Sequence, residues 1–316
     1  MSLGNKQKLI GLDPAAYEHP LDRAALDKLE SIPGVRSLVV KIWDTFLDKL
    51  LFFESTGSRI EVTKENYPDL YQLHLESCST LDVHDVPPLY LDSDPKINAY
   101  ANGVNRPYIA VSYGAIERLE KEELLFVLGH ELGHIKSGHV LYYFLAQNFK
   151  PIIETASQMS LGLAGLAGGG VQIALNYWRR MSEFTADRAG LLVCQDSKPC
   201  IRAMIKLAGL PLDDVKIDAF EKSFLKQANE FEDFDYGTLN KFIRFWSTVD
   251  NTHPWLVLRA SEFIKWEASV DYKNIIQGKK VAPASSSSND NFFCKECGSR
   301  VFTTDKFCGQ CGSTIT

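Results

Sequence analysis

The chain has 316 residues, 45% of them hydrophobic, and a formal net charge of −6. That is enough apolar material to bury a full core. No long block of like charge and no solenoid-length repeat runs along the chain.

The N-terminal stretch Met1–Lys8 carries no apolar core of signal-peptide length. Helices are expected at Asp22–Leu29, at Leu38–Leu47 and over Tyr67–Glu76, where apolar and polar residues alternate near a helical period. His19-Pro20 has no chemical context and is assigned no role. Strands are expected at 88–92 and 107–112. Tyr108-Ile-Ala-Val-Ser112 is short, β-prone and follows Pro107, a pattern that suits an edge strand able to pair with an extended peptide.

A helix should begin at Lys121, where acidic residues precede an apolar run. It carries Gly129-His-Glu-Leu-Gly-His134. His130 and His134 are four residues apart, so both imidazoles share one face and could bind one Zn²⁺. Glu131 sits beside the first ligand, placed to act as general base toward water activated by the metal. The bland alternative is a buried helix with two satisfied histidines. Gly129 and Gly133 each cost ~1 kcal/mol against Ala inside a helix, so another backbone is expected to pack close. His139 is turned well away from the ligand face and is not expected to bind the metal.

A third ligand is therefore sought downstream. Glu183 and Asp187 lie one helical turn apart. Glu183 could ligate while Asp187 accepts the outer N–H of a ligand histidine. On spacing alone, an ordinary pair of acids beside Arg179, Arg180 and Arg188 reads equally well. Glu154 is the next candidate ligand.

Residues 159–178 are apolar but rich in glycine and interrupted by Gln172, a poor fit to a membrane span. The expectation is a helical hairpin or flap near the active site, with peripheral membrane contact as the alternative. The region 200–268 reads mostly helical. A polar stretch with four consecutive serines, 278–291, is expected to be a flexible linker.

The C-terminus carries Cys294-Lys-Glu-Cys297 and Cys308-Gly-Gln-Cys311, two knuckles suited to one tetrahedral Zn²⁺. A zinc ribbon over 292–316 is expected, dependent on its metal for folding. Its mixed charges favour docking to a protein partner over nucleic acid. The remaining cysteines, Cys78, Cys194 and Cys200, and the missing leader argue for a cytoplasmic location, with membrane association as a variant.

Taken together, Gly-His-Glu-Leu-Gly-His134 and Glu183-x-x-Ala186-Asp187 resemble the HtpX-like and CAAX-prenyl-protease-like zinc endopeptidases. Asn98-Ala99-Tyr100-Ala101 and Pro107–Ser112 resemble that family's substrate-binding segment and edge strand, and His253-Pro254 its His-Pro dipeptide. The resemblance spans about residues 15 to 265. It implies a gluzincin with His130, His134 and Glu183 on zinc, Glu131 as base, and Asp187 supporting a ligand. It also implies that His253 stabilises the transition state and that Asn98, Ala99, Tyr108, Ile109 and Ala110 bind substrate. The expected architecture is an α+β, mainly helical protease domain over 1–277 with a small edge-exposed sheet, followed by the linker and ribbon. Its substrates would be extended or unfolded polypeptides, with protein quality control as the setting and two zinc ions, one catalytic and one structural. The alternative is a chaperone-like binding module with a latent protease fold.

Overall fold

The computed structural model describes residues 6–35, 38–39, 53, 57–103, 106–158, 169–209, 214–230, 256–279, 291–293 and 300–302. Most of the expected Leu38–Leu47 helix, His253, the serine-rich stretch and all four ribbon cysteines lie outside these residues.

Helix α1 (Pro20–Glu30) starts at His19, whose Nδ1 accepts the Leu21 N–H at 3.1 Å. Pro20 fills the first helical position, where its missing N–H leaves no bond unmade. The His19-Pro20 dipeptide, given no role from sequence, is thus a helix start. Helix α2 (Pro68–Thr80) also carries a proline, Pro68, at its first position, with no side-chain cap.

Strands β1 (Ile60–Glu61), β2 (Leu89–Asp92), β3 (Ala99–Asn102) and β4 (Tyr108–Ser112) form one sheet in the order β1-β2-β4-β3. β2 and β4 run parallel, with Leu89 opposite Ile109. β3 is antiparallel to β4, with Tyr100 opposite Ala110. This corrects the sequence expectation for Tyr108, Ile109 and Ala110. β4 is paired on both sides and buried throughout, so these residues have no open edge to offer a peptide. Pro107 misled because a proline before the first residue of a strand is compatible with an interior position too. Among the described residues, the open edge beside β4 belongs to β3. Ser112 N–H donates to Asn98 O at 2.9 Å, so by strand alternation Ala99 and Ala101 turn their main-chain groups away from β4.

Ser112 then caps the short helix α3 (Tyr113–Arg118) through its side chain. Helix α4 (Lys121–Lys136) begins with a reciprocal capping box between Glu120 and Glu123. Glu123 also takes the Lys206 ammonium at 2.8 Å. From Glu123 to His134 every residue of α4 is buried, as expected of a helix enclosed by its neighbours. Gly138, at φ +72°, turns the chain into α5 (His139–Gln158). Helices α6 (Gly169–Cys194), α7 (Ser197–Leu207), α8 (Asp214–Glu230), α9 (Leu256–Ala268) and α10 (Val270–Ile276) follow. Strands β5 (Asn291–Phe293) and β6 (Arg300–Phe302) form a separate antiparallel pair.

The long contact between α4 and α6 explains the two costly glycines. A Cβ on Gly133 would lie 2.5 Å from the Ala189 Cβ, and one on Gly129 would lie 2.7 Å from the Val193 Cβ. Gly190 answers from the other side, where a Cβ would meet the Phe126 ring at 2.7 Å. The backbones can approach only because side chains are missing there.

Two hydrophobic clusters flank this contact. One unites the sheet, α2, α4, the C-terminal half of α6, α7 and α9 around Leu125, Phe126, Leu192 and Phe263. The other unites α1, α5 and the N-terminal half of α6 around Leu29, Leu145, Leu175 and Trp178. Val171, Leu175 and Trp178 belong to the apolar 159–178 stretch. Its described part is therefore core-facing helix, and no helix among the described residues is long and apolar enough to cross a membrane.

Candidate metal centre

His130, His134 and Glu183 meet at the seam between α4 and α6. Their ligand atoms all lie within 4.8 Å of one another. The two Nε2 atoms are 3.2 Å apart. Glu183 Oε2 lies 3.7 Å from His130 Nε2, and Oε1 lies 3.6 Å from His134 Nε2. Tetrahedral zinc with bonds near 2.05 Å needs donors roughly 3.3 Å apart, so this set fits the ion. All three are buried, at 8%, 5% and 2% exposure. Burial drives the His134 pKa down to about 3, which keeps the imidazole neutral, as a metal ligand must be. Glu131 is buried next to His130 on the same helix.

Behind His130 the support is charged. Its Nδ1 lies 3.0 Å from Asp187 Oδ1, so Nδ1–H donates to the carboxylate and the Nε2 lone pair faces the site. Arg259, from α9, donates to both Asp187 oxygens, Nε at 2.8 Å and Nη2 at 2.6 Å. The same guanidinium reaches Glu183 Oε2 through Nη1 at 3.2 Å. Burial opposes ionisation of Asp187, but Arg259 and His130 together hold its pKa below the usual carboxylate range. Tyr143 of α5 donates its hydroxyl to Glu183 Oε1. Burial and the Glu183 charge push the Tyr143 phenol well above its ordinary pKa, so it remains a donor.

Behind His134 the support is a second imidazole. His134 Nδ1 lies 2.9 Å from His139 Nδ1, and His139 Nε2 lies 3.1 Å from Asp22 Oδ2. His139 is thus no ligand, though it touches one; it begins α5, beyond the end of α4 at Lys136, so the angle expected for it on α4 does not apply.

The sequence-predicted residues therefore divide. His130, His134, Glu183 and Asp187 come together, and Glu131 lies beside them. Glu154, the reserve ligand, is exposed on α5. Ala99 lies at the start of the β3 edge, Asn98 just before it turns both main-chain groups to Ser112, and Tyr108, Ile109 and Ala110 lie inside the sheet. His253, Cys294, Cys297, Cys308 and Cys311 lie outside the described residues. Arg259, Tyr143, His139 and Asp22 escaped the sequence reading. Only His139 carried a local signal, its closeness in sequence to His134.

Comparison with known proteins agrees with this geometry. Residues 68–267 match the profile of peptidase family M48. A plastoglobule-localized metallopeptidase of Arabidopsis thaliana chloroplasts is 32% identical over 277 residues, covering 84% of this chain and 76% of the relative. A protease HtpX homolog of Helicobacter pylori is 28% identical over 173 residues, covering 48% of this chain and 55% of the relative. No solved structure matches the chain. With more than half its length inside the matched region, and with two histidines and a glutamate gathered for a metal, the chain belongs to peptidase family M48 and is a zinc-dependent metallopeptidase.

Proposed function

We propose that the chain is an endopeptidase that cleaves extended or unfolded polypeptides laid along β3. The convergence of His130, His134 and Glu183, with Glu131 adjacent, carries this reading. When bound, zinc acidifies water and polarises a carbonyl. Glu131 takes the proton from the attacking water and delivers it to the leaving amine. Asp187 holds His130 by its outer nitrogen, and Arg259 keeps that carboxylate ionised. His253 is the proposed donor to the developing oxyanion.

Substrate binding follows from the sheet order. Ala99 and Ala101 present main-chain groups at the open edge, and an extended peptide can add there as a further strand. Main-chain pairing makes sequence preference loose, which suits unfolded substrates in protein quality control.

For the C-terminus we propose a linker over 278–291 and a ribbon over 292–316, with Cys294, Cys297, Cys308 and Cys311 on a second, structural zinc. The cysteine spacing supports this, and the ribbon would dock a protein partner. Residues 1–277 would form the catalytic domain. A cytoplasmic location with peripheral membrane contact is proposed, and co-sedimentation with anionic vesicles tests the contact.

The enzymatic reading is tested with Glu131→Gln, which removes the base and keeps every ligand. Casein cleavage should fall by about 10²- to 10⁴-fold, with zinc content and polypeptide capture unchanged. If wild type and variant capture unfolded protein alike and neither cleaves it with zinc present, the chain is a binding module.

A further inference from the structure

We propose that Asp22 and His139 are positioning residues for the metal site: Asp22, on α1, fixes the tautomer of His139, which in turn fixes that of the ligand His134. This rests on the metal-site reading above, and deepens it. Asp22 lies outside the region 68–267 that matches the family profile, so it draws an N-terminal helix into the active-site apparatus.

One assignment of the hydrogen-bond chain leaves His134 Nε2 free to ligate a metal. Asp22 is 1% exposed and His139 2% exposed. Thr185 Oγ1 accepts the His19 N–H at 3.0 Å and donates its own proton to Asp22 Oδ2 at 2.6 Å. Two donors thus meet one oxygen of Asp22, an arrangement that suits a carboxylate acceptor. A carboxylate 3.1 Å from His139 Nε2 requires a proton on that nitrogen, since two bare acceptors would repel. A ring that carries its single proton on Nε2 has a lone pair on Nδ1. That lone pair, 2.9 Å from His134 Nδ1, requires the His134 proton to sit on Nδ1. The Nε2 lone pair of His134 is left facing His130 Nε2 and Glu183, where a metal ligand needs it. Reverse any one tautomer and either His139 faces Asp22 with no proton or His134 presents N–H to the metal position.

The placement also gives a reason for burying Asp22. A buried carboxylate costs several kcal/mol unless it is hydrogen-bonded. Asp22 takes both of its donors through Oδ2, while Oδ1 has no hydrogen-bond partner among the described residues. A packing role alone would be met as well by an apolar side chain. The donors come from α5 and α6, so one oxygen ties three helices together and orients the ring behind the ligand.

The test measures metal affinity and proton position, not turnover. The full-length chain carries Cys294→Ser and Cys297→Ser in every affinity sample, so that the helical site alone is titrated, with Zn²⁺ against a competing chelator. Asp22→Leu and His139→Leu should each weaken zinc binding by about 10- to 100-fold, the size typical of groups that orient a ligand. His139→Gln, which keeps an acceptor oxygen, should recover part of the loss. Because Asp22 acts only through His139, the double Leu variant should bind no more weakly than His139→Leu alone. Equal affinity in wild type and both Leu variants, or additive losses in the double variant, would overturn the proposal while leaving the metal site standing. Failure of the wild type itself to bind zinc would remove both. The zinc-loaded wild type gives an answer that needs no variant to fold. ¹⁵N spectra should show protons on His139 Nε2 and His134 Nδ1, with His139 Nδ1 bare. A proton on His139 Nδ1 would refute the relay.

Discussion

The two ligand histidines sit one helical turn apart but rest on different regions of the molecule. The flank behind His130, built from α6 and α9, is ionic. Two buried carboxylates share one buried guanidinium there. The flank behind His134, built from α1 and α5, passes through a second imidazole before it reaches a carboxylate. An ionic clamp is strong while complete and severe when broken, because the surviving charges are left in low dielectric. A relay of rings acts by direction. One metal site thus combines a stability-determining side with an orienting side.

The largest effect should come from breaking the clamp. Arg259→Leu leaves Asp187 and Glu183 buried without their cation and should destabilise the fold by about 3–5 kcal/mol. His139→Leu, on the other flank, should cost clearly less in the same urea titration. Similar losses from both would erase the contrast. At the seam between the flanks, Gly133→Ala should cost about 1–3 kcal/mol through overpacking against Ala189, although the same change in an exposed helix would stabilise. Thermal melts distinguish the two signs.

Asp187→Ala should weaken zinc binding by about 10- to 100-fold, and a chelator competition reads this directly. The smallest effect concerns pH. Burial lowers the pKa of His19, which starts α1, and of His74, which donates to Pro87 O. Both are held neutral in the fold. The unfolded chain takes up protons on them below its own pKa of about 6.5 and the folded chain does not, so stability is present above that pH and is lost as pH falls through it. His19→Asn, which keeps a capping side chain, should flatten part of the slope of melting temperature between about pH 7 and 5.5. An unchanged slope would show that His19 contributes nothing to it.

What could be read from the sequence follows the range of each interaction. His130, Glu131 and His134 were legible because a helix converts spacing into a shared face. The pinched contact was legible because Gly129 and Gly133 contradict helix propensity, and only a close neighbour explains them. Glu183 and Asp187 were half legible, since their mutual spacing showed one face but not its destination. Arg259 and Asp22 were invisible. Arg259 reaches Asp187 across 72 positions and Asp22 reaches Thr185 across 163, and no local pattern encodes such a meeting. The helical-angle argument for His139 assumed one continuous helix, but α4 ends at Lys136 and His139 meets the outer nitrogen of His134 from α5. The edge strand was misplaced because β3 and β4 are both short. Sequence near a strand does not state which neighbour it lacks.

The central claim is that His130, His134 and Glu183 close around one zinc ion. Elemental analysis of the Cys294→Ser/Cys297→Ser chain, with and without Glu183→Ala, tests it most directly. The account predicts one zinc per chain when Glu183 is present and a clear loss of bound zinc on dialysis when it is absent. Full retention of zinc in the folded Glu183→Ala chain would contradict it.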